Sequence, residues 1–291
     1  MNQVVLSNGV NLNALCFGTG IVRNYRYGNK SVINRLKHTA YDFLKDKKQY
    51  KIDKKFRSVV NISMQNGCNM FDTSRAYGGA EYELGKVLRQ YRREEYLIVT
   101  KLSNADQFSN NVRGGLNNSL EELGMDYVDL YLMHWPVSEV YLESWKQMEE
   151  LYKEGKCRAI GVCNCNIHHL QEIESVAEIM PMVNEIECHP LFTQNELREY
   201  CNSHKIHIMA YTSTARMDER LKKTVLSPIS KNYNKSITQI ILRWHIQIGN
   251  IPIVSTSNKN HILDNCNIFD FSLTNEEIDS ISRININSRL R

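Results

Sequence analysis

The feature that most constrains this chain is a two-beat rhythm that runs from residue 53 onward. Seven stretches carry apolar residues at helical spacing: 53–66, 80–90, 109–123, 139–154, 167–176, 193–203 and 236–248. Each gives way to a short apolar run, at 68–72, 96–101, 127–133, 158–162, 181–187, 206–211 and 251–254. Helical periodicity alternating with runs too short to be helices implies βαβ units and a parallel sheet. Residues 14–19 precede them and read as an eighth strand. Eight such units close into an α/β fold of the (β/α)8 type, a TIM barrel. A single domain over 1–291 is an ordinary length for it. Residues 3–13 alternate around Ser7-Asn8-Gly9, an Asn-Gly hairpin signal, and are expected to plug one end of the barrel. Residues 21–52 read as a long insertion after the first barrel strand. The tail beyond Phe271 has room for about one helix, which predicts an open pocket.

Several function classes fall away early. Lys and Arg total 36 against 32 Asp and Glu, and the charges are scattered, so no nucleic-acid footprint is present. The basic stretch Lys45–Lys55 reads as a solvated loop and helix start. No apolar run approaches the roughly 18 residues of a membrane span, and no secretory signal opens the chain. Eight cysteines without framework spacing predict reduced thiols and a cytoplasmic protein. Cys163 and Cys165 followed by His168 and His169 lack a second ligand pair, so no metal site is expected. No G-x-G-x-x-G follows any strand, which disfavours an open Rossmann sheet.

The chemistry gathers at strand ends. Met70-Phe71-Asp72 runs into Tyr77-Gly78-Gly79, Leu97–Lys101 ends in a lysine, and Tyr131–His134 ends in a histidine. In a barrel, the loops after the strands build the site. A tyrosine has an unperturbed pKa of about 10, too high for efficient proton transfer near neutrality. An ammonium about 4 Å away would favour the phenolate by roughly 4 kcal/mol at an effective dielectric near 20, or about three pKa units. Asp72, Tyr77 and Lys101 are the types this arrangement needs. His134 adds a neutral donor that can orient a carbonyl oxygen. Each alone also fits a satisfied polar residue of the barrel rim.

Taken in order, the motifs resemble the aldo-keto reductase family. They are Phe-Asp-Thr-x-x-x-Tyr at 71–77, Thr-Lys at 100–101, His-Trp-Pro at 134–136, Gly-Val-x-Asn at 161–164, Asn-x-Ile-Glu-x-His-Pro at 184–190 and Ala-Tyr at 210–211. The match covers nearly the whole chain apart from 21–52. The resemblance implies carbonyl reduction with a nicotinamide cofactor and no metal. The family's catalytic tetrad falls on Asp72, Tyr77, Lys101 and His134, with Tyr77 protonating the carbonyl oxygen.

The resemblance also implies cofactor positions. Thr19, Asp72 and Asn164 match residues on the nicotinamide side, and Tyr211 matches the ring that stacks on it. Cys163 stands where the family usually has serine, and Glu185 where it usually has glutamine. An ionised Glu185 could only accept from the carboxamide, and its charge would favour the oxidised cofactor. Ser255, Thr256, Ser257, Asn258, His261, Asp264 and Asn265 fall in the adenosine-phosphate region, the last two facing adenine. The usual lysine and arginine at the 2′-phosphate are replaced near Ser255 and His261, with Lys259 as a candidate substitute. A helix N-terminus there can still hold phosphate.

The expectation is NADP(H) in preference to NAD(H). The substrate pocket should include Gly20, where the family often has tryptophan, and Trp135, with Tyr25 or Tyr27 as candidates to fill the gap. Thr212–Arg216 departs from the usual Ser-Pro-Leu-Gly loop. The expected partner is a small carbonyl compound, with neither nucleic acid nor membrane, and a monomer is expected rather than an oligomer. A second reading is a cofactor-sensing barrel with weak or no catalysis, motivated by the changes at Cys163, Glu185, Ser255 and His261.

Overall fold

The computed structural model describes residues 3–20 and 55–290. The insertion expected at 21–52, including Tyr25 and Tyr27, lies outside the described residues, as does nearly all of the basic stretch 45–55. Two strands, β1 (Gln3–Val5) and β2 (Asn11–Asn13), pair antiparallel as a hairpin. Its turn needs Gly9 at φ +84°, where a side chain would be strained. Leu6 and Leu12 of the hairpin are buried among the barrel's interior residues. The Asn8 side chain donates to Arg158 O at 2.8 Å, so the hairpin closes the end where the strands begin.

The barrel follows the order predicted by the rhythm. Its strands are β3 (Cys16–Gly18), β4 (Met70–Asp72), β5 (Leu97–Leu102), β6 (Leu130–Met133), β7 (Ile160–Cys163), β8 (Val183–Glu187), β9 (His207–Tyr211) and β10 (Ile251–Val254). Neighbours are parallel, and β10 pairs with β3 to close the ring. Each strand's alternation sorts its side chains between two cores. Met70, Val99, Leu130, Leu132, Val183 and Met209 fill the barrel. Phe71, Ile98, Tyr131, Met133 and Ile160 face the helical layer. Burying each such side chain contributes about 1.5–3 kcal/mol.

The helical layer comprises α1 (55–65), α2 (Ala80–Leu88), α3 (Asn104–Phe108), α4 (Val112–Leu123), α5 (Tyr141–Lys153), α6 (Ile167–Glu174), α7 (Asn195–Ser203), α8 (Leu226–Tyr233), α9 (Ile237–Gln247), α10 (Lys259–Cys266) and α11 (Asn275–Ser282). After α11 the chain folds back: Ser288 N donates to Leu191 O at 2.9 Å and Leu290 N to Glu187 Oε1 at 2.6 Å.

One expectation is corrected here. Cys68, just before β4, and Cys266, ending α10, form a disulfide with their Cα atoms 6.3 Å apart. They are 198 residues apart in sequence, so no local spacing announces the pair. The barrel juxtaposes them by laying α10 near the start of β4. The other six cysteines are free and buried.

Candidate active site

The strand ends converge. Asp72 is the last residue of β4, Lys101 the next to last of β5, and His134 follows β6 directly. Asn164 follows β7, Glu185 lies within β8, and Tyr211 ends β9. All sit at the C-terminal end of the barrel, where this fold builds its sites.

Local structure fixes each group. On β5, Thr100 turns outward and its hydroxyl donates to Glu81 of α2 at 2.5 Å. Lys101 therefore points inward. Its ammonium bonds the Asp72 carboxylate and donates to Thr73 O at 3.1 Å. Tyr77 closes a short 3-10 turn, Arg75–Tyr77, capped by Ser74, whose Oγ accepts from Ala76 N at 3.1 Å. Gly78 and Gly79, at φ +58° and +87°, then turn the chain into α2. This holds the Tyr77 ring 5.3 Å from the Lys101 ammonium and edge-on to His134, with ring centroids 5.9 Å apart. His134 Nδ1 lies 3.3 Å from Ser74 Oγ, and His134 O accepts from Asn164 Nδ2 at 3.0 Å. Asn164 adopts φ +60°, which asparagine tolerates well. That backbone leaves its Oδ1 free to accept from the Tyr211 hydroxyl at 2.7 Å.

The electrostatics overturn two expectations. Burial pushes the Tyr77 phenol well above its ordinary range, and Lys101 recovers only part of that, because Asp72 and Glu185 work against it. The neighbouring ammonium therefore does not make the phenol acidic. Glu185 is the second correction. Burial and then Asp72 push its carboxyl up to about 8, with Lys101 opposing, so it is not the ionised acceptor expected at neutral pH. Burial disfavours the Lys101 charge, but Asp72 and Glu185 outweigh it and hold the ammonium well above its ordinary range. Burial, and secondarily Lys101, lowers His134 to about 3, so the imidazole stays neutral.

A groove of about 1010 Å³ opens over these groups. Gly20, Asp72, Tyr77, His134, Trp135, Asn164, Glu185 and Tyr211 line it. Ser255, Thr256, His261, Asp264 and Asn265 also line it. Thr19 and Cys163 are buried and do not line the groove, nor do Ser257, Asn258 and Lys259. Asn258 instead caps α10, its side chain accepting from Asn260 N at 3.0 Å. Trp135 is 42% exposed, a rim residue rather than a core one.

Sequence reasoning missed Ala76, Met217, Ser236 and Thr238 as wall residues. Ser236 carried a signal, but only as the cap of α9. The divergent loop after β9 also lines the groove, with Thr212, Arg216 and Met217 at positive φ. Left-handed backbone at such residues costs of order 1 kcal/mol each and tends to gather at functional sites.

Comparison with known proteins agrees with this geometry. A sequence model of the Aldo/keto reductase family matches residues 41–286, and the chain belongs to that family. It is 40% identical over 232 residues to the glyoxal reductase of Bacillus subtilis (strain 168), covering 79% of this chain and 84% of that protein. It is 37% identical over 238 residues to the methylglyoxal reductase of Escherichia coli O157:H7, covering 80% and 86%. The crystal structure of a Bombyx mori aldo-keto reductase in complex with NADP superposes with a TM-score of 0.84 at 30% identity, covering 99% of this chain and 94% of that one.

Proposed function

We propose that the protein reduces small aldehydes and ketones to alcohols with NADPH as the reductant. The observation that carries this reading is the convergence of Asp72, Tyr77 and His134 on one groove, with the buried Lys101 ammonium bonded to Asp72 and 5.3 Å from the Tyr77 ring. The groove's size suits a dinucleotide. Glu185 lines the groove, and its Oε2, with Lys101 3.3 Å away, accepts no directed hydrogen bond and can serve a ligand. Asn164, Glu185 and Tyr211 would hold the nicotinamide end. Ser255, Thr256, His261, Asp264 and Asn265 would hold the adenosine end. Arg216 and His261 both line the groove and suit a cofactor bearing a 2′-phosphate, which favours NADP(H) over NAD(H).

Bound nicotinamide would supply hydride to the carbonyl carbon. The residues of the chain do the rest. Tyr77, its phenol raised by burial, holds its proton and hands it to the carbonyl oxygen. The alkoxide left by reduction is a stronger base than a phenolate, so the transfer runs downhill even from a raised phenol. Lys101 stays charged and steadies the phenolate left behind, and Asp72 anchors the ammonium. Neutral His134 orients the carbonyl. Gly20 and Trp135 border the substrate end. The named activities of the relatives point to small dicarbonyls as the substrate class.

The test is an NADPH fluorescence titration paired with turnover of 4-nitrobenzaldehyde. Binding with turnover is expected, and NADPH should bind more tightly than NADH. Tight binding without turnover would favour the cofactor-sensing barrel instead.

A further inference from the structure

Charge at the centre of the site does not balance if every acid there is ionised. Asp72 and Glu185 are each 3% exposed, and Lys101 is fully buried. The Lys101 ammonium bonds Asp72 and lies 3.3 Å from Glu185 Oε2, which accepts no directed hydrogen bond. Among the described residues, the groups that face this cluster from neighbouring strands add no second cation. Burial keeps the thiols of Cys16 on β3 and Cys163 on β7 protonated. Burial likewise raises the phenols of Tyr77 and Tyr211 and lowers the His134 imidazole, leaving all three neutral. Two carboxylates against one ammonium would leave a buried net charge of about −1, which is costly. Both acids share the same ammonium, which bonds Asp72 and lies 3.3 Å from Glu185, and the charge balances only when one of the two carries a proton.

We propose that Glu185 holds this proton and makes the protein's preference between oxidised and reduced nicotinamide depend on pH. The proposal rests on the NADPH reading above. A protonated carboxyl presents one O–H and one carbonyl, the same pattern as an amide turned for recognition. In that state the Asp72–Lys101–Glu185 cluster is neutral. Loss of the proton adds a negative charge beside the nicotinamide site. That charge attracts the positive oxidised ring and leaves the neutral reduced ring unaffected. The Glu185 carboxyl is pushed up to about 8, so the change falls at a pH where the protein can be studied. By linkage, binding the oxidised form must expel the Glu185 proton and binding the reduced form must not.

The experiment measures dissociation constants for NADPH and NADP+ at about pH 6.5 and about pH 9, in the wild type and in Glu185→Gln. Taking the ratio of the two cancels the shared titration of the 2′-phosphate. In the wild type, the NADPH-to-NADP+ ratio of dissociation constants should rise by about tenfold or more across that interval. In Glu185→Gln it should stay constant within about twofold. Calorimetry of the wild type in two buffers of different ionisation enthalpy should register proton release near pH 8 on NADP+ binding and none on NADPH binding. This reading does not depend on the variant. A flat ratio in the wild type, the same rise in Glu185→Gln, or no proton release would overturn the proposal. Failure to bind either form at any pH would overturn the dinucleotide reading itself, and this inference with it.

Discussion

Tyr77 shows where residue-level reasoning succeeds and where it stops. Its neighbours were legible, because Asp72, Lys101 and His134 each end an apolar run and such ends meet in a barrel. Its acidity was not. One ammonium near a solvated phenol would lower its pKa, but burial dominates in the folded site and Glu185 adds a second nearby acid. Sequence gives the identity of a neighbour but not how much water remains around it. Glu185 carries a stability consequence of the same kind. Its carboxyl rises from the ordinary 4.5 of a glutamate to about 8 on folding. The folded state therefore holds the proton more tightly than the unfolded chain. Its contribution is complete below about pH 4 and is lost as pH rises through about 8. Between about pH 6.5 and pH 9 the wild type should lose roughly 2 kcal/mol from this group alone. Urea denaturation at both pH values should show that loss in the wild type and not in Glu185→Gln. Equal pH slopes for the two proteins would contradict it.

At the scale of elements, periodicity carried most of the information. All eight barrel strands fall within a few residues of their expected positions, because continuous apolar runs of this length fit few other structures. α3 and α8 were not legible. α3 spans only five residues, and α8 has a narrow apolar face, Leu226 and Ile229, that makes sense only against α9. Close packing between elements was equally hidden. Gly85 lies inside α2, where alanine would ordinarily favour the helix by about 1 kcal/mol. Here a Cβ would stand 2.3 Å from Leu123 O at the end of α4, so the two helices could not keep their approach. Gly85→Ala should therefore destabilise the protein by about 1–3 kcal/mol, read by urea denaturation. A stabilised variant would show that the contact is looser than described.

Over the whole molecule, closure of the barrel does what no single element can. It brings residues at or just beyond the ends of seven strands to one groove, and it brings Cys68 to Cys266 across 198 positions. Neither meeting leaves a trace in local composition; the first could be inferred only because the fold itself was legible, and the second could not. The same closure sets Ser236 and Thr238, at the start of α9, in the wall of the groove. No helix among the described residues is long and apolar enough to cross a membrane.

The central claim is that this groove reduces carbonyl compounds and that Tyr77 delivers the proton. It is tested most directly by comparing wild type and Tyr77→Phe for NADPH binding and for steady-state reduction of 4-nitrobenzaldehyde. The claim predicts NADPH affinity preserved within a few-fold and a fall in kcat of at least about a thousandfold, the scale of a lost general acid. A Tyr77→Phe protein that binds NADPH and still turns over the aldehyde at the wild-type rate would contradict it.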